Sequence, residues 1–136
     1  MQDRVILDSS VIAAIFFKED SSEKAEKAAE CYELITVDLA IAEVANVAWK
    51  RVMFFDESKE IALKALRRST NFITGACEVI STRKLLEDAF AIAIEDKITI
   101  YDSFFIAASE REKVPLLTTD GELYKKVKSK RNVKLI

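Results

Sequence analysis

The chain has 136 residues at 15.4 kDa, half of them apolar and 32% charged, the size and balance of one ordinary globular domain. Its longest purely apolar run is the seven residues Val11 to Phe17, far short of the roughly 20 that a bilayer span needs, and its Met-Gln-Asp-Arg start does not fit a secretory signal. There is no histidine, which excludes Ser-His-Asp and Cys-His nucleophilic machineries and every His-bearing zinc site.

In chain order, Arg4 to Asp8 is a β-branched and apolar run that predicts a strand buried on both faces, and Ser9 to Phe17 an apolar helix straight after it. Asp20-Ser-Ser-Glu23 resembles a capping box opening a second helix. Glu33 to Val37 reads as a strand, Asp38 as the cap of a helix reaching Phe54, and Asp56 as the cap of another. Cys77 to Ile80 is a third strand, followed by a helix phased on Leu85, Leu86, Ala89, Phe90 and Ala93. Ile98 to Asp102 leads into a helix from Ser103 to Lys113, stopped by the only proline, Pro115. Val114 to Asp120 is a strand, a short helix follows Gly121, and Val133 to Ile136 closes as a strand. Alternating strands and helices with no linker or repeat predict a single α/β domain over residues 1–136 with a mostly parallel sheet. In such sheets ligands gather beyond the carboxyl ends of the strands.

Charge is unevenly placed. Residues 121–136 carry Lys125, Lys126, Lys128, Lys130, Arg131 and Lys134 against Glu122 alone, a net +5, whereas the whole chain is −2. The acidic remainder does not suit a protein that holds a polyphosphate backbone by its own charge. Gln and Asn total only four beside abundant Lys and Glu, which leans toward a heat-adapted source. Cys31 and Cys77 are too few for a four-thiolate zinc site or a disulfide framework; they read as small buried residues of an intracellular protein, with a single disulfide left open.

Of the 23 carboxylates, most alternate with Lys or Arg on exposed helix faces. Four do not: Asp8 closes Val-Ile-Leu, Glu43 lies inside a long apolar helix, Asp102 sits between Ile-Thr-Ile-Tyr and Ser-Phe-Phe-Ile, and Asp120 ends Pro-Leu-Leu-Thr-Thr. Asp8, Asp102 and Asp120 each stand where a helix begins, so capping accounts for any one alone. Glu43 is mid-helix, in a narrow polar stripe with Asn46 and Lys50 whose bland reading is a solvent-facing edge. All four together are harder to explain so. Converging carboxylates repel by about 4 kcal/mol per pair at 4 Å and an effective dielectric of 20, so they hold protons or bind a cation. An all-oxygen set selects a hard ion, Mg²⁺ or Mn²⁺ and less readily Ca²⁺. Such an ion also bridges an acidic protein to phosphate, and the chemistry that fits is metal-assisted phosphodiester hydrolysis.

Val-Ile-Leu-Asp8-Ser-Ser, Ala-Glu43-Val-Ala-Asn46, Tyr101-Asp102-Ser-Phe-Phe-Ile-Ala-Ala and Leu-Leu-Thr118-Thr-Asp120, in this order and over essentially the whole chain, resemble the PIN domain and, within it, the short VapC-type toxins of toxin–antitoxin pairs. The resemblance implies a five-stranded sheet of order 3-2-1-4-5 flanked by helices, with Asp8 and Asp120 at neighbouring strands. It implies a cytoplasmic, Mg²⁺- or Mn²⁺-dependent endoribonuclease whose metal site is Asp8, Glu43, Asp102 and Asp120, with Ser9, Asn46 and Thr118 in support. It further implies a homodimer and a VapB-like antitoxin. The position after Asp102, often Ala in relatives, is Ser103 here. Lys125, Lys126 and Lys128 are candidates for tracking RNA, against the plainer reading of a solvated last helix.

Rivals fare worse. A haloacid-type phosphatase needs a second Asp two residues after the first, where Ser10 stands, and a receiver domain needs adjacent acids, where Ser9 follows Asp8. A non-catalytic PIN-like module that binds RNA or protein would usually have lost an acid, and an RNA-processing nuclease would share the same site.

Overall fold

The computed structural model describes residues 3–136. Five strands form one sheet: β1 (Arg4–Leu7), β2 (Glu33–Val37), β3 (Cys77–Ile80), β4 (Leu116–Thr118) and β5 (Val133–Leu135). Their order is β3-β2-β1-β4-β5 and every pairing is parallel. β1 lies at the centre, with Val5 and Ile6 opposite Leu34 and Ile35 of β2, and Ile6 and Leu7 opposite Leu116 and Leu117 of β4. Covered on both faces, it needs apolar residues at consecutive positions, and Val5, Ile6 and Leu7 are all at most 1% exposed.

Seven helices connect the strands: α1 (Ser9–Phe16), α2 (Ser22–Cys31), α3 (Leu39–Phe54), α4 (Lys59–Ala76), α5 (Thr82–Asp96), α6 (Ile100–Glu112) and α7 (Gly121–Val127). Right-handed crossovers from β1 to β2 and β2 to β3 put α1 to α4 on one face of the sheet. α6 covers the other, against β1, β2 and β4, with α5 packed outside it. Ser103 to Ser109 of α6 are therefore buried without a break. No helix among the described residues is long and apolar enough to cross a membrane.

Four helix starts differ from the sequence expectation. Asp20 opens no capping box: α2 begins at Ser22, whose Oγ instead accepts from the Glu19 amide and donates to the Phe17 carbonyl. Asp38 makes no cap bond to α3; its Oδ1 reaches across the sheet edge and accepts from the Thr82 amide of α5 at 3.0 Å. α4 is capped by Ser58, which accepts from the Ile61 amide, while Asp56 sits in the preceding turn at φ 56°. α6 begins at Ile100 under a Thr99 cap, so Asp102 lies inside its first turn and is no cap itself. At α4 and α6 a hydroxyl close to the helix wins the amide from the nearby carboxylate, whereas α2 and α3 start without a side-chain cap. Both cysteines are free, and Cys31 is exposed rather than buried.

Candidate active site

The four singled-out carboxylates come to the carboxyl end of the sheet from four different elements. Asp8 follows β1 and caps α1, with Oδ1 accepting from the Val11 amide at 3.2 Å and from Ser10 Oγ. Asp120 follows β4 and caps α7, its Oδ1 accepting from the Glu122 and Leu123 amides at 3.0 and 3.2 Å. The capping reading is thus correct for these two, and both also face the site. Glu43, half-buried on α3, has its Oε1 held by Ser9 Oγ of α1 at 2.9 Å. Asp102 enters from the first turn of α6, where its own amide donates to Thr99 Oγ1.

Asp102 is the charge the others share. It raises the pKa of both Asp8 and Glu43, and its own is raised by Asp120. In all three the larger cause is burial, which disfavours the ionised form. Asp8, 5% exposed, is pushed up to about 6 even though Ser10, Thr118 and the Val11 amide favour its anion. The Ser9 hydroxyl pulls Glu43 partly back, and Thr99 and Lys126 do the same for Asp102.

Among the described residues no three carboxylates or thiols stand close enough to make a ready-built metal cage. The donor set still fits a hard divalent cation. All of its atoms are carboxylate oxygens, two of the group are held by hydroxyls, and burial leaves the cluster short of positive charge. Mg²⁺ in particular keeps several waters and is bound through one or two carboxylates plus substrate phosphate oxygens, so it needs no closed protein cage.

Of the supporting residues, Ser9 orients Glu43 directly. Thr118 Oγ1 lies 3.4 Å from Ser10 Oγ and accepts from the Asp120 amide at 3.0 Å. Asn46 is exposed and shares no hydrogen bond with the four acids among the described residues. Lys125, Lys126 and Lys128 are all exposed on or next to α7. Only Lys126 acts on the cluster, through Asp102; Lys128 lies over the ring of Tyr124, its Nζ 5.8 Å from the centroid. The sequence reading missed Ser10, which donates to Asp8 and accepts from the Thr119 amide at 3.0 Å. Its signal was available: a hydroxyl two residues after a strand-end Asp, in the first turn of the helix that Asp caps.

A model of the PIN domain family matches residues 5–129. Ribonuclease VapC3 of Pyrobaculum aerophilum is 37% identical over 124 residues, spanning 90% of this chain and 94% of that protein. Among solved structures, a toxin–antitoxin complex from Klebsiella pneumoniae matches with a TM-score of 0.71 at 16% identity, covering 96% of this chain and 95% of that one. VapC20 of Mycobacterium tuberculosis, a sarcin–ricin loop cleaving toxin, matches at 0.70 and 15%, covering 89% and 93%. These last two likenesses are of fold.

Proposed function

Because the chain belongs to the PIN domain family, we propose that its acidic pocket is the active site of a metal-dependent endoribonuclease, the toxin of a VapBC-type pair working in the cytoplasm. The observation that carries the reading is Asp102 as common neighbour of Asp8, Glu43 and Asp120 in a chain without histidine. Such a pocket cannot run acid–base catalysis through imidazole, and its carboxylates are arranged at the cost of their own repulsion.

Asp8, Glu43, Asp102 and Asp120 would hold Mg²⁺ or Mn²⁺. When bound, such an ion offsets the clustered negative charge, polarises phosphoryl oxygens and lowers the pKa of a coordinated water. The chain's own residues prepare the pocket. Ser10 and the Val11 amide fix Asp8 at the end of β1. Ser9 turns the Glu43 carboxylate inward from α3. The Asp120 side chain, anchored on two amides of α7, fixes that helix and brings Lys126 to the rim, where its ammonium can meet a substrate phosphate. Glu43, with its proton affinity raised, is suited to take a proton from an attacking water.

A VapB-like antitoxin and a second copy of the chain are the partners this reading supplies. Exposed apolar side chains support association: Leu86, Phe90 and Ile94 repeat along α5, and Trp49, Met53, Phe54 and Phe55 cluster at the end of α3. The deciding assay is cleavage of RNA by purified protein with Mn²⁺ or Mg²⁺, in parallel with Asp8→Asn purified identically. Cleavage that EDTA abolishes and the variant lacks is expected. Equal cleavage by both proteins overturns the assignment.

A further inference from the structure

On the face of the sheet that carries α1 to α4, β4 is covered, with Leu116, Leu117 and Thr118 at most 2% exposed, but the edge strand β5 is left open, with Leu135 exposed. Both crossovers on that side run away from β4, toward β2 and β3, and the β4–β5 connection through α7 is a right-handed crossover to the opposite face. What remains is a groove of about 470 Å³ between α2 and the last two strands, within the ~300–1,000 Å³ typical of ligand-sized clefts. Leu117, Ala28, Ile136 and the exposed Cys31 give it an apolar lining. Lys24 and Lys27 of α2 and Lys134 of β5 supply its charged side chains, and no Asp or Glu among the described residues lines it.

That basic rim stands out on an acidic protein. Residues 1–120 carry a net −7, and α2 itself divides by charge. Its Lys24 and Lys27 line this groove, while Glu26 and Glu30 line a separate cavity with Ile15, Phe16 and Arg68. The groove is thus apolar inside, positive at the edge and open where one further helix would complete a layer.

We propose that the α2–β4–β5 groove is a docking site for an amphipathic helix of another polypeptide, one that seats apolar side chains on Leu135 and Ile136 and sets carboxylates against Lys24, Lys27 and Lys134. Nucleic acid shares the attraction to lysine, but a phosphate backbone gains nothing from an apolar lining; a protein helix uses both features.

The groove carries its own reporter. Cys31 is exposed within it, whereas burial pushes the Cys77 thiol up to about 12 and leaves it slow to alkylate. The test uses the full chain, a fluorescein-labelled helical peptide of Leu, Ala and Glu, its Lys-for-Glu counterpart, and labelled oligouridylate. Anisotropy gives the Kd and mass spectrometry the rate of Cys31 alkylation by iodoacetamide. Binding of the Glu peptide is expected, with Cys31 protected, and with affinity about tenfold weaker in a Lys24→Glu/Lys27→Glu/Lys134→Glu variant whose melting temperature is unchanged. Absence of binding, equal binding of the Lys peptide, equal affinity in the triple variant, or Cys31 protection by oligouridylate in preference to the Glu peptide each overturns the proposal. None of these readouts depends on ribonuclease activity.

Discussion

Ser10 and Thr119 are joined across the top of the sheet: the Thr119 amide after β4 donates to Ser10 Oγ in α1 at 3.0 Å, and the same hydroxyl donates to Asp8 Oδ1. One side chain therefore ties the end of β1 to the end of β4 and fixes the carboxylate between them. Ser10→Ala leaves the Thr119 amide without this partner, at an expected cost of about 1–3 kcal/mol in urea unfolding. It also frees the Asp8 side chain to rotate. Steady-state RNA cleavage is expected to lose kcat with little change in KM, because the hydroxyl touches the carboxylate and not the bulk of the substrate.

Burial of Asp8 makes stability fall with rising pH. With its pKa pushed from 3.8 to about 6, the folded protein holds a proton that the unfolded chain has already released across that interval. The stabilisation is fully present below about pH 4 and is lost as pH rises through about 6; above that, ionised Asp8 costs on the order of 3 kcal/mol. Asp8→Asn keeps an acceptor for the Val11 amide and removes the charge. In EDTA the variant is expected to be more stable than the parent at pH 7.5 by about 2–3 kcal/mol and to match it near pH 4. Equal stability at both values shows that Asp8 is solvated and not strained.

The two strand-end acids, Asp8 and Asp120, were legible in the sequence because a charge closing an apolar run has few places to go in a parallel sheet. The buried strands β1 and β2 were legible for the same reason. The caps of α2, α3, α4 and α6 were not, because only tertiary position decides which side chain meets which amide. Asp38 is the clearest instance: beside α3 in the chain, it accepts from the first amide of α5, next to the Ser81 cap. Asp102 was found for its isolation in an apolar segment, yet its place in the first turn of α6 depends on Thr99 taking the cap. Asp96 escaped notice because its neutralising partner, Arg131, lies 35 residues away.

Divalent cations should reverse the instability of the site. A cation at a hundred times its dissociation constant stabilises a folded state by about 2.7 kcal/mol, and Mn²⁺ is expected to raise the melting temperature of the parent by several degrees. Asp102→Asn removes the charge that Asp8, Glu43 and Asp120 share. It should raise the metal-free melting temperature, abolish the Mn²⁺ shift and eliminate cleavage together. Retention of the full Mn²⁺ shift in this variant places the ion elsewhere.

Arg131 holds the final turn of the chain to the α5–α6 layer. Its Nε and Nη2 grip the two oxygens of Asp96 at 2.8 and 2.9 Å, and its Nη1 reaches Glu110 at 2.7 Å. The Asp96 side chain is wholly buried, and the Arg131 guanidinium holds its pKa below the usual carboxylate range. That contribution is present above the ordinary Asp pKa and lost as pH falls through the depressed one. Removing the cation strands the anion, so Arg131→Met is expected to cost about 3–5 kcal/mol at pH 7. Asp96→Asn combined with Arg131→Met should recover part of that loss, because no charge is left buried alone. The two substitutions should therefore be strongly non-additive in a urea double-mutant cycle; additive costs show that the pair is independently solvated. Because Arg131 lies between α7 and β5, the single variant should also loosen the support of Lys126 and lower RNA affinity in step with stability.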